Sequence, residues 1–139
     1  MDDSDILTFE GWHDPIIDGF DQDPEGTYAR LAWLPIIGPS SFLMWGTLAS
    51  QLRRQRSATW ELAELAGFHG LQRGSGRNGM VRRTLTRLVL FQLLAESAPD
   101  TWLVRLSAPP VSQRQLERLP GVVVQLHEAA FKNPDRQVG

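Results

Sequence analysis

No cysteine occurs among the 139 residues, which excludes a disulfide framework, a thiolate zinc site and a cysteine nucleophile together. Lysine is almost missing too: the basic set is thirteen Arg and the single Lys132. A GC-rich genome produces the same bias, so arginine usage alone says nothing about phosphate. No apolar run approaches the roughly 18 residues that a bilayer span needs, and no membrane role is expected. The N-terminus, Met1-Asp2-Asp3-Ser4-Asp5, is acidic, whereas a secretory signal opens basic and turns apolar. The expected compartment is a bacterial cytoplasm, whether the gene is chromosomal, plasmid-borne or phage-borne.

Two further absences carry more information. Residues 1–26 hold nine acids and no Lys or Arg, while residues 27–139 hold all fourteen basic residues against seven acids. Between Glu64 and Glu96 there is no acid, yet Arg73, Arg77, Arg82, Arg83 and Arg87 all fall there. An acid-free tract with five positive charges is an electrostatic footprint for a polyanion. A solvated helix face with counterions would look the same.

The first 26 residues read as a tail, because acids, glycines and prolines leave no sustained period. Trp12 and Phe20 lie among those acids, and a purely solvating tail has few aromatics. These two are candidate partner contacts, or they pack back on the domain. Residues 28–37 are apolar and extended in character, with Pro35 and Pro39 barring a continuous helix.

From there the periodicity is clearer. Ser40 or Ser41 is the expected cap of a helix over about 40–55, with Phe42, Trp45, Leu48 and Leu52 at helical spacing. After a short link, Thr59 is the expected cap of a second helix carrying Leu62 and Leu65, which Gly67 ends. A glycine-rich turn, Gln72–Gly79, leads to a third helix over about 78–91 capped by Asn78. In it Val81, Leu85, Leu88 and Val89 form one stripe, and Arg82, Arg83, Thr86 and Arg87 lie off it. The period then shortens: Leu93–Ser97 and Thr101–Ser107 flank Ala98-Pro99-Asp100, which is hairpin chemistry. Ser112 with Gln115 is a capping-box pattern opening a helix over 112–119, and a last helix is expected over 122–131.

Helix, short link, helix, turn, basic helix, hairpin is an element order that resembles the winged helix-turn-helix superfamily over about residues 40–107. Leu34-Pro35-Ile36-Ile37-Gly38-Pro39 running into an apolar helix is also similar to the start of the winged-helix part of primosome-loading proteins of the DnaD type. Small actinobacterial winged-helix proteins are similar as well. The long turn at 72–79 departs from compact helix-turn-helix proteins, whose turn is a few residues.

The expected fold class is therefore mostly α with a small β-hairpin (α+β). It divides into an acidic N-terminal extension (1–26), a winged helix-turn-helix domain (27–110), C-terminal helices (111–133) and a frayed end (134–139). The resemblance implies a DNA-binding protein, a sequence-specific transcriptional regulator. Its basic helix (about 78–91) enters the major groove and its wing (about 93–107) touches the backbone. Asn78, Arg82, Arg83, Thr86 and Arg87 are the candidate groove-facing residues. Arg73, Ser75 and Arg77 suit phosphate contacts, with Arg105 on the wing as a weaker candidate.

A homodimer is expected, since one winged helix reads few base pairs. Leu126 and Phe131 on the last helix are candidate partner contacts. The same helices could instead complete the monomer core. The rival reading is a protein-interaction or adaptor winged helix in a replication or transcription complex, because fold alone does not set function.

No enzyme, cofactor or metal is expected. Gly74-x-Gly76-x-x-Gly79 has dinucleotide-loop spacing but follows a helix, not a strand. His13, His69 and His127 are far apart and lack neighbours at ligand spacing.

Overall fold

The acidic N-terminal segment is an inner strand of the sheet. The computed structural model describes residues 5–72 and 79–131, and in it β1 (Ile6–Trp12) lies between β2 (Ser57–Glu61) and β4 (Thr101–Arg105). β1 runs antiparallel to β2, with Leu7 opposite Trp60 and Phe9 opposite Ala58. It runs parallel to β4, with Phe9 opposite Trp102, and those two rings stack at 5.4 Å. β3 (Leu94–Ala98) closes the order β2-β1-β4-β3.

This corrects the reading of residues 1–26 as a tail. Leu7 and Phe9 are fully buried while Ile6 and Glu10 face out, a two-residue alternation that the surrounding acids concealed. The protein is α+β: among the described residues seven α-helices accompany this four-stranded mixed sheet, so the β component exceeds the hairpin expected.

Asp14 begins α1 (Pro15–Gly19), its carboxylate accepting from the Ile16 and Ile17 amides. The 28–37 stretch is helical rather than extended: a π-helical turn (Ala29–Trp33) continues into α2 (Leu34–Ile37). Pro35 comes just after the π turn, so its missing N–H leaves one backbone bond unmade where the two helical turns join. Gly38 then breaks the path at φ 88°, a backbone conformation that favours glycine. Pro39 opens α3 (Pro39–Leu52).

Three helices pack on one another and on the sheet. α3 contributes Met44, Trp45 and Leu48, α4 (Leu62–Phe68) contributes Leu62 and Leu65, and α5 (Met80–Leu90) contributes Val81, Leu85 and Leu88. All join one core with Leu7, Phe9 and Val104. Two expected caps are corrected. Thr59 pairs with Thr8 inside β2, and the capping position of α4 is Glu61. Gly79, not Asn78, precedes α5, and Asn78 itself lies outside the described residues.

The hairpin β3–β4 turns at Pro99-Asp100, with Asp100 at φ 55°, a region that Asp tolerates better than most side chains. The Ser112–Gln115 capping box is present and starts a shorter helix than expected, α6 (Gln113–Leu116). α7 (Gly121–Ala130) follows, and among the described residues no helix is long and apolar enough to cross a membrane.

Candidate nucleic-acid interface

Helix α5 sorts its side chains by depth. Val81, Thr84, Leu85 and Leu88 are buried, and the Thr84 hydroxyl donates back to the Met80 carbonyl at 2.8 Å. Arg83, Thr86, Arg87 and Leu90 are exposed. Their spacing of three, four and seven residues makes a single outward stripe.

The arginines expected on that stripe separate into two groups. Arg82 points away from it, into a carboxylate pair: 3.0 Å to Asp5 and 2.9 Å to Asp100, its side chain 20% exposed. The hydrogen bond to Asp100, joined by that to Asp5, holds the guanidinium further in its charged form, against partial burial. Arg82 is thus not groove-facing; it ties the start of β1 and the hairpin turn to α5.

Arg105 is corrected likewise. Its side chain is 11% exposed, lies 3.7 Å over the Trp12 ring, and bonds Asp14 at 3.0 Å and the Gln92 carbonyl at 3.0 Å. The Arg105 hydrogen bond first, then the Ile17 amide, keeps the Asp14 carboxyl below its usual pKa. Such an arginine fastens the end of β1 and the start of α1 to the sheet, and most of its donors are used within the fold.

Arg87 is intermediate. Nε donates to the Ile37 carbonyl at 2.8 Å and one terminal nitrogen to the Ile36 carbonyl at 3.1 Å, closing the C-terminal end of α2. The side chain stays exposed, and among the described residues its other terminal nitrogen makes no hydrogen bond. Arg83 and Thr86 stand in solvent, and among the described residues neither side chain has a hydrogen-bond or ion-pair partner. Arg73, Ser75, Arg77 and Asn78 lie outside the described residues.

The expected partner contacts are used within the chain. Trp12 lies beneath Arg105. Phe20 meets Phe131 edge-on at 4.8 Å, Phe131 meets Tyr28 at 4.8 Å, and Leu126 packs partly buried on the core. Tyr28 completes this corner: its hydroxyl accepts from the Val111 amide at 3.0 Å and lies 2.8 Å from His127 Nδ1. Of the two roles left open for the C-terminal helices, completing the monomer fits these contacts.

One feature escaped the sequence reading. An open cleft of about 450 Å³ lies between the start of α3 and the outward side of α5, lined by residues including Gly38, Ser40, Ser41, Arg83 and Arg87. Among the described residues no acid lines it. Ser40 and Ser41, expected as caps, sit inside the first turn; the capping position is Gly38, which supplies no side chain. The pair Gly38-Pro39 was the available signal, since proline at the first helical position places the cap one residue earlier.

No protein-family model, curated protein or solved structure matches the chain.

Proposed function

We propose that this chain is a winged helix-turn-helix protein that binds double-stranded DNA through the outward stripe of α5, in the role of a sequence-specific transcriptional regulator. The order α3, β2, α4, α5, β3, β4 supports the winged-helix reading, with β1 as an added strand between β2 and the hairpin. The observation that carries the DNA reading is the stripe itself: Arg83, Thr86 and Arg87 face solvent together with no acid on the helix. A helix of this width enters the major groove, and arginine there pairs with guanine through two hydrogen bonds. In this reading the stripe of Arg83, Thr86 and Arg87 lies along the groove, and Arg82 and Arg105 hold the scaffold.

The hairpin contributes shape more than charge, because Glu96 and Asp100 sit on it. A homodimer remains the proposed way to read two half-sites. It needs a surface other than Phe131, which Phe20 and Tyr28 already cover.

The test is fluorescence anisotropy with random-sequence duplex DNA at low salt. Binding that falls steeply with salt is expected, weakened about tenfold or more by Arg83→Ala. No binding at low salt rejects the reading. One observation favours the adaptor alternative: Leu90, on the same stripe, is 72% exposed. A protein partner that competes at Leu90 in the absence of any DNA affinity would decide for it.

A further inference from the structure

We propose that the cleft between α3 and α5 is a phosphate site, and that in the DNA complex it seats one backbone phosphodiester. The assignment of DNA as the source rests on the function proposed above; the site itself does not.

Three independent features converge there. The first is the helix end. Gly38 offers no capping side chain, and the first intrahelical backbone bond recorded runs from the Phe42 amide to the Gly38 carbonyl at 3.0 Å. The Ser40 and Ser41 amides therefore stand ahead of the helical ladder, at the positive end of a fourteen-residue helix.

The second is a buried hydroxyl. Ser41 is 3% exposed and lines the cleft. Among the described residues its hydroxyl takes part in no hydrogen bond, yet no enclosed side-chain polar atom lacks a partner. The side chain belongs to the lining of the cleft, so its hydroxyl is at hand for a group seated there.

The third is charge held in place. Arg83 and Arg87 sit one turn apart on the wall opposite. Arg87 is oriented by the Ile36 and Ile37 carbonyls, which leaves a terminal nitrogen to donate elsewhere at little cost in side-chain freedom.

Backbone amides, a hydroxyl and two guanidinium groups are all donors, and among the described residues none of the lining side chains is anionic. That donor set fits a group with several acceptor oxygens and a full negative charge. A phosphate satisfies it, and guanidinium–phosphate bonds are among the stronger charge-assisted hydrogen bonds. A neutral ligand would leave the arginine charges uncompensated.

The probe is inorganic phosphate, titrated into the full-length protein at constant ionic strength and followed by amide NMR, with sodium chloride as the matched control. The expected result is saturable movement of the Ser40 and Ser41 amides with phosphate alone. Arg83→Gln should weaken it about tenfold, and Ser41→Ala by a smaller factor. Arg83 is exposed and Ser41→Ala removes one atom, so both variants should fold, which the remaining amide spectrum checks. No saturable movement beyond chloride, or saturation indifferent to Arg83→Gln, overturns the site.

A second arm uses duplex DNA. Movement of the same two amides, with a salt slope reduced by about one in Arg83→Gln, supports the phosphodiester assignment. If phosphate saturates but DNA does not bind, the site stands and its DNA source is wrong. If DNA binds while these amides stay still, the DNA reading stands and the site is wrong.

Discussion

Arg82 and Arg83 are neighbours in the chain and occupy opposite environments. Arg82 lies between two carboxylates from Asp5 and Asp100, four-fifths covered. Arg83 faces solvent on the outward stripe of α5, beside a cleft that no acid lines among the described residues. One helical step of about 100° separates a residue that joins three parts of the fold from a residue available to a ligand. Charge in a sequence is therefore not yet a binding surface; its value depends on what the other end of the chain brings to it. Here the acidic N-terminal segment neutralises arginines at both ends of β1: Asp5 at Arg82 and Asp14 at Arg105.

The contrast can be broken most severely through β1. Phe9→Ala opens a cavity in the core and should cost about 4 kcal/mol in urea unfolding. A tail residue would cost almost nothing, so a change below about 0.5 kcal/mol would return this segment to the surface. Deleting residues 1–26 should for the same reason prevent folding.

The next effect separates the neighbours directly. Arg82→Ala leaves Asp5 and Asp100 facing each other without a cation and should cost about 2 kcal/mol of stability. Arg83→Ala should change stability by less than about 0.5 kcal/mol, as an exposed side chain with nothing to lose. Equal losses measured by thermal unfolding would erase the distinction.

A smaller effect sharpens the account of the far corner. Tyr28→Phe removes the acceptor for the Val111 amide and the partner of His127, for a loss of about 1 kcal/mol. Burial lowers the His127 pKa from its ordinary 6.5, with Glu128 opposing. The native state thus favours the neutral ring. Stability from this group is complete above pH 6.5 and declines as pH falls toward the lower folded value, because the unfolded chain takes up the proton first. A pH series of unfolding midpoints should show that decline in the wild type and a flatter profile in His127→Gln; identical profiles would remove His127 from the linkage.

Much of the helical frame was legible before the structure. α3, α5, the Pro99-Asp100 turn and the Ser112–Gln115 box each carry a local signal: apolar spacing, turn residues, or a paired cap. β1 was not, because two buried positions among nine acids make too short a period to notice; only pairing with β2 and β4 gives it meaning. Nor were the arginine roles. Asp5 lies 77 residues from Arg82, and Asp14 lies 91 from Arg105, so no local window contains either pair. The cleft was hidden for a different reason. Its donors are backbone amides, which a list of side chains does not show, and its walls meet only when α3 and α5 pack.

The most direct test titrates one fluorescent duplex with Arg82→Ala and Arg83→Ala side by side, at a temperature where both are folded. Arg83→Ala should bind at least about tenfold more weakly than wild type, and Arg82→Ala within about twofold of it. Equal weakening, or weakening confined to Arg82→Ala, would contradict the assignment of the outward stripe as the DNA-binding face.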